Sequence, residues 1–247
     1  MPKLMNASAS LVAQTVSNFG FSGARIEDLG ASEFTLANIA IDLSPSTSGF
    51  IDDLKKALGT IIESLAKSPR AENLLVRVEG FNEDLKEIHG FSPLTGMKSG
   101  DYPIDCGGRG TALFDAILSG VEACGEYGKR LDDKDYASNA IVFIITDGME
   151  NASRKARNPD SIIKAIEKIR IAENLESIKT ILIGVGDDTT VNQYLAQVQA
   201  DAKIDQYLWV GDATPSKLAK MADFISRSVS STSQALGTGG PSQNLTF

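Results

Sequence analysis

Residues 34–46, Phe34-Thr35-Leu36-Ala37-Asn38-Ile39-Ala40-Ile41-Asp42-Leu43-Ser44-Pro45-Ser46, decide how the rest of the chain is read. The first eight are rich in apolar residues, as a buried strand requires, and they run into an aspartate followed by two serines at a spacing of two. Residues 50–65 then place Ile51, Leu54, Leu58, Ile61, Ile62 and Leu65 on one helical face. Strand, polar loop and helix in that order open an α/β fold, in which ligands sit in the crevice beyond the carboxyl ends of the strands.

The same alternation continues outward. Residues 73–81 read as a second strand, and 87–92, reached through the tight polar turn Asn82-Glu83-Asp84, as its antiparallel hairpin partner. Residues 111–131 carry Leu113, Ile117, Val121 and Cys124 at helical spacing, and 139–146 are almost all apolar and β-branched, as a strand covered on both faces must be. Helix over 159–173, strand over 178–185, helix over 190–199 and strand over 206–210 follow. A last helix, opened by Pro215, runs through Leu218, Met221, Phe224 and Ile225. Six strands interleaved with helices predict a three-layer, doubly wound α/β sandwich with a mostly parallel sheet and one antiparallel edge strand.

Outside residues 34–230 two extensions of different character are expected. Residues 1–33 hold scattered apolar positions, Leu11, Val12, Val16, Phe19 and Phe21, which read as a short helix and an arm lying against the domain. Residues 231–247, like the Ser-rich stretch leading into them, read as a flexible Ser/Gly-rich tail, with docking on a neighbour as the alternative.

Composition narrows the function. A chain of 247 residues with 42% hydrophobic content can bury a full core. A net charge of -8 and an isoelectric point near 4.8 argue against a nucleic-acid partner, which selects a basic stripe. The two cysteines, Cys106 and Cys124, are too few for a disulfide framework, and the start of the chain lacks the apolar core of a signal peptide. The longest apolar run, 140–145, is too short to cross a bilayer. A cytoplasmic location without membrane attachment is expected, and the Asn-x-Ser/Thr triplets at Asn6, Asn151 and Asn244 are read as carrying no sugar.

Three fragments, Asp42-Leu43-Ser44-Pro45-Ser46, Gly110-Thr111 and Thr146-Asp147-Gly148, each follow a strand or a glycine-rich loop and can meet at one sheet edge. Mg²⁺ takes about six oxygens and is usually held by one or two carboxylates with waters completing the shell. Asp42 and Asp147 can supply the carboxylates, and Ser44, Ser46 and Thr111 the hydroxyls. One remaining position can be filled from outside, most naturally by an Asp or Glu carboxylate of a protein partner.

With those residues in that order, the chain resembles the von Willebrand factor A domain family and its metal-ion-dependent adhesion site. The likeness covers about residues 34–230. It implies a Rossmann-like layout, Mg²⁺ as the ion with Mn²⁺ or Ca²⁺ as alternatives, a role in protein binding without catalysis, and movement of the last helix on binding. In that resemblance Ser44, Ser46 and Thr111 contribute hydroxyls while Asp42 and Asp147 act directly or through water. Pro45 stands where a small glycine is common, and Thr47-Ser48-Gly49 where many relatives carry a methionine. The terminal segments are similar to those of stand-alone bacterial and phage members.

Other residues receive plainer readings. His89, the sole histidine, has no metal-ligand neighbours in sequence and is read as structural. Arg109 is read as a solvated loop residue, with a rim contact to an anionic partner as the alternative, Glu150 and Asn151 as loop residues or rim contacts, Asp187 and Asp188 as a solvated turn, and Asp115 either as a brace for the site or as surface. Two rival functions stay open. A Mg²⁺-dependent phosphohydrolase would use Asp42 as nucleophile, but the position two residues on, where a second carboxylate would serve as acid and base, is Ser44. A metal-independent scaffold would self-associate through its sheet edge or its tail.

Overall fold

The computed structural model describes residues 11–15, 18–95, 97, 102, 104–239 and 244–247. Residues 1–10, Val16 and 240–243, which belong to the expected extension and tail, and the Asn6 triplet lie outside the described residues.

The strands are β1 (Leu11–Thr15), β2 (Gly20–Ala24), β3 (Glu33–Asp42), β4 (Leu74–Phe81), β5 (Leu85–Pro93), β6 (Ala137–Thr146), β7 (Ile178–Gly184) and β8 (Gln206–Trp209). The helices are α1 (Ile51–Ala66), α2 (Leu113–Asp132), α3 (Pro159–Ala172), α4 (Thr189–Asp201) and α5 (Pro215–Thr238). One sheet carries the order β1-β2-β5-β4-β3-β6-β7-β8. β4, β3, β6, β7 and β8 are parallel neighbours, while β5 is antiparallel to β4.

Alternation along the strands sorts the core into two layers, because successive side chains leave a strand on opposite faces. Leu36 and Ala40 of β3, Val142 and Ile144 of β6 and Leu182 of β7 meet α2, α3 and α4. Ala37, Ile39 and Ile41 of β3, Phe143 and Ile145 of β6 and Ile183 of β7 meet α1 and α5. Covered on both sides, β3 and β6 are buried along almost their whole length. This is the doubly wound α/β sandwich expected from the sequence, and the six expected strands are all present.

Two features differ from expectation at the ends of the chain. Residues 11–24 form the antiparallel hairpin β1-β2 instead of a helix and an arm, so β5 is interior to the sheet and β1 is its outer strand. The hairpin is held by side chains more than by its ladder, since β2 meets β5 in parallel only at Gly23 and Phe91. Phe21 packs edge-on against Phe91 and Tyr127, the Tyr127 hydroxyl donates to the Ala24 carbonyl, and the Ser22 N–H and hydroxyl donate to Glu87. Gly90 permits this approach, because a Cβ there would lie 2.1 Å from the Ser22 carbonyl oxygen. Gly90→Ala is expected to cost about 1–3 kcal/mol, as overpacking does, and to speed amide exchange across 20–24 while leaving β3 and β6 protected. Unchanged exchange there would show that the contact yields freely.

At the other end, residues 231–238 continue α5 where composition suggested a loose tail. Polar groups are the reason: Thr232 and Ser233 are buried, the Thr232 carbonyl accepts from Asn139 Nδ2 at 2.8 Å, and Ser233 Oγ accepts from Arg70 Nε at 2.9 Å. Arg70 also pairs with Glu33 at the start of β3. The final residues 244–247 lie back on the body, with Phe247 edge-on to Phe224 and the Leu245 carbonyl accepting from Gln206 Nε2. Among the described residues no helix is long and apolar enough to cross a membrane.

Candidate metal centre

β3 and β6 lie side by side at the centre of the sheet, and their chain continuations part to opposite faces: β3 leads to α1 and β6 to α3. The split opens a crevice at their carboxyl ends, where open α/β sheets bind ligands. Asp42 ends β3 and Thr146 ends β6, so the first and third motifs reach the crevice by strand geometry alone.

Asp42 is almost fully buried, at 1% exposure, and its two oxygens are fixed from different directions. Oδ1 accepts the Ser44 N–H at 2.8 Å, and Oδ2 accepts the Thr146 hydroxyl at 2.6 Å. Thr146 Oγ1 in turn accepts the Gly148 N–H, so one hydroxyl ties the first motif to the third. Pro45 opens a single 3₁₀ turn, Pro45–Gly49, whose start at Ser44 brings Ser44 Oγ to 3.0 Å from Ser46 Oγ. Ser46 Oγ donates to Asp147 Oδ1 at 2.7 Å. A Cβ placed on Gly148 would stand 3.3 Å from Thr111 Oγ1 and 3.8 Å from Asp42 Oδ2, which locates both oxygens beside that glycine. The structure therefore brings together all five sequence-predicted residues: Asp42, Ser44, Ser46, Thr111 and Asp147.

Placing two carboxylates this close has an electrostatic cost. Burial raises the Asp42 carboxyl above its ordinary range, against the hydrogen bonds from Thr146 and Ser44. Burial pushes Asp147 up to about 6, with the Asp42 charge adding to it and the Ser46 hydroxyl opposing it. The donor set is all oxygen, with two acids and three hydroxyls, which suits a hard divalent cation and not a soft one. Among the described residues no group of three or more His, Cys, Asp and Glu side chains is placed to hold a metal, so any ion here would rely on hydroxyls.

Around these five, further residues hold the loops in place; from sequence Glu150 and Asn151 read mainly as loop residues, and Asp115 as either a brace or surface. The first-motif turn is backed by the loop before α2: Thr47 Oγ1 lies 3.1 Å from Cys106 Sγ, and the Gly107 N–H donates to the Leu43 carbonyl. Asn151 Oδ1 accepts the Thr111 N–H at 2.8 Å, and the Asn151 N–H donates to the Thr111 carbonyl at 3.0 Å. Glu150 accepts from the N–H groups of Phe114, Ala152 and Ser153 and from the Ser153 hydroxyl. Asp115 accepts the N–H groups of Arg154, Lys155 and Ala156, which makes it the anchor of the loop after the third motif. The only signal of these roles in the sequence is their proximity to Thr111 and to Thr146-Asp147-Gly148.

Residues read as plain keep structural roles. His89 Nδ1 donates to the Gly90 carbonyl and its ring lies 5.6 Å from that of Tyr102. Asp188, read as a solvated turn residue, caps α4 by accepting from the Thr190 and Val191 N–H groups. The Arg109 N–H donates to Glu83 while its residue stays exposed.

No protein-family model matches the chain, and no curated protein matches it in sequence. Among solved structures it is similar to the D319A mutant of the PilB minor pilin from Streptococcus sanguinis, at 14% identity and a TM-score of 0.56 over 88% of this chain and 66% of that one. It is similar to a von Willebrand factor type A protein from Catenulispora acidiphila, at 15% identity and a TM-score of 0.53 over 86% of this chain and 44% of that one. It is also similar to proximal thread matrix protein 1 from the mussel byssus, described with a zinc-occupied MIDAS motif, at 16% identity and a TM-score of 0.54 over 81% and 47%. The chain thus corresponds to between 44% and 66% of the length of these proteins. At such identities the likeness shows the fold.

Proposed function

Starting from the von Willebrand factor A fold of this chain, we propose that it is a non-catalytic, metal-dependent protein-binding module. Asp42, Ser44, Ser46, Thr111 and Asp147 would hold the ion, Mg²⁺ in the first instance. The observation that carries this reading is the convergence of five oxygen donors from three separate loops, two of them carboxylates whose pKa burial raises. When bound, the ion supplies a positive coordination position to which a partner's Asp or Glu carboxylate can add. The chain's own residues do the rest. Thr146 holds Asp42 in orientation, the Pro45–Gly49 turn presents both serine hydroxyls, and the Asn151 contacts fix Thr111.

A phosphohydrolase reading has less support. Ser44 occupies the position where a second carboxylate would act as acid and base, and its hydroxyl is engaged with Ser46.

Calorimetric titration of metal-depleted protein with Mg²⁺ and Mn²⁺ tests the proposal. One saturable site is expected, lost in Asp42→Ala and weakened at least about 10-fold in Ser44→Ala, followed by chelator-sensitive capture of a partner. Equal binding by wild type and both variants would defeat the assignment. A second reading, self-association, is favoured by one observation: β1 has a strand on one side only among the described residues, which leaves a row of backbone groups open to strand addition. Sedimentation with and without chelator separates the two, because an assembly built on that edge is indifferent to metal.

A further inference from the structure

α2 begins without a side-chain cap of its own. Its leading residue is Ala112, and the amides of its first turn must be satisfied from elsewhere. They are satisfied by the loop after β6: the Phe114 N–H donates to Glu150 Oε2 at 2.8 Å and the Asp115 N–H to Ser153 Oγ at 3.0 Å. In the reverse direction the Asp115 carboxylate takes three N–H groups of that loop, from Arg154, Lys155 and Ala156. Just ahead of the helix, Thr111 and Asn151 exchange two hydrogen bonds, Thr111 N–H to Asn151 Oδ1 at 2.8 Å and Asn151 N–H to the Thr111 carbonyl at 3.0 Å. The bonds run both ways between two segments nearly forty residues apart in the chain. By contrast, the serine-bearing turn meets the loop after β6 through a side-chain contact, Ser46 to Asp147.

We propose that Asn151 is a positioning residue for the metal centre, clasping Thr111 to the loop that carries Asp147 so that these two oxygen donors move as one body. The inference rests on the metal-binding reading above and adds to it a division of labour. Thr111 and Asp147 form a fixed jaw, and any adjustment to the ion falls to the turn that bears Ser44 and Ser46. Asn151 acts through Thr111, without itself entering the donor set.

The test is a double-mutant comparison by Mn²⁺ titration of wild type, Asn151→Ala, Thr111→Ala and the double variant. Asn151→Ala is expected to weaken Mn²⁺ binding about 10-fold, as loss of a residue that orients a ligand does, with an unchanged urea midpoint. Thr111→Ala, which removes a neutral donor that water can replace, should weaken it by a similar factor, and the double variant should be no weaker than Thr111→Ala. Equal additional loss in both backgrounds would mean that Asn151 acts on something other than Thr111 and would overturn the inference. Wild-type affinity in Asn151→Ala would overturn it while leaving the metal reading intact. Absence of saturable Mn²⁺ binding by the wild type would overturn the metal reading, and this inference with it. Amide exchange in metal-depleted protein gives a second readout: Thr111 should exchange faster in Asn151→Ala, and unchanged exchange there refutes the clasp whatever the metal does.

Discussion

Asp147→Ala should bind Mg²⁺ and Mn²⁺ at least about 100-fold more weakly than wild type and yet, freed of metal, melt no lower at pH 7. The two halves of this expectation share one cause. Asp147 is a partly buried carboxyl beside a second one, and its pKa stands at about 6 in place of the ordinary 3.8. A group whose folded-state pKa is raised contributes stability fully below its unfolded value and loses it as pH rises through the folded value. For metal-free wild type, thermal stability should therefore fall between about pH 4 and pH 6 by an amount that Asp147→Asn removes. A cation reverses the balance by neutralising both carboxylates, so the stabilisation conferred by Mg²⁺ should grow as pH rises through the same window. Melting curves of metal-depleted protein across that range, with and without added Mg²⁺, provide the check. A pH-independent profile in the wild type, or global unfolding of Asp147→Ala, contradicts it.

The second large effect lies away from the crevice, beneath α2. Arg77 and Glu79, both at 1% exposure, share the face of β4 that meets that helix. Arg77 reaches Glu79 at 2.8 Å, Glu87 of β5 at 2.8 Å and Asn38 of β3 at 2.7 Å, and Ser119 of α2 donates to Glu79 at 2.9 Å. Burial alone would lower the pKa of the guanidinium, but the two carboxylates hold it above its ordinary value. Removing this cation leaves the buried Glu79 and the partly buried Glu87 beside the Asn38 amide oxygen. Arg77→Met is expected to cost about 3–5 kcal/mol in urea denaturation, because the buried Glu79 carboxylate is left without its cation. Adding Glu79→Gln should recover part of that loss. A cost under about 1 kcal/mol would show that water enters and solvates the acids.

That network also marks where reading the sequence stops. The largely apolar runs 34–41 and 139–146 identify the two central strands, because burial on both faces leaves no room for a polar period. That Asp42, Ser44, Ser46, Thr111 and Asp147 would meet at one sheet edge was legible because two of the three fragments end strands and the third follows a glycine-rich loop. The strand 20–24 was not: Gly20 and Gly23 suppress the strand signal, and Phe21 packs against Phe91 and Tyr127, residues far along the chain. The last two turns of α5 were missed for a related reason. Their buried face is serine and threonine, and polar residues advertise burial only through partners such as Arg70 and Asn139, which lie about 160 and 90 residues earlier in the chain. Asn151, Glu150 and Asp115 share this property, since each is defined by which distant amide it accepts.

The crowding of acceptors around the start of α2 also selects the sign of charge that the crevice admits. A helix amino terminus carries partial positive charge, and in many doubly wound proteins its free amides receive the phosphates of a nucleotide. Here the amides of Thr111, Ala112, Phe114 and Asp115 already donate to Asn151, the Asn82 carbonyl, Glu150 and Ser153. Glu150 sets its carboxylate oxygens against the first turn of the helix, accepting the Phe114 N–H. A pyrophosphate placed here would meet acceptors and already-engaged amides in place of free donors, the opposite of what a nucleotide site on the same layout offers.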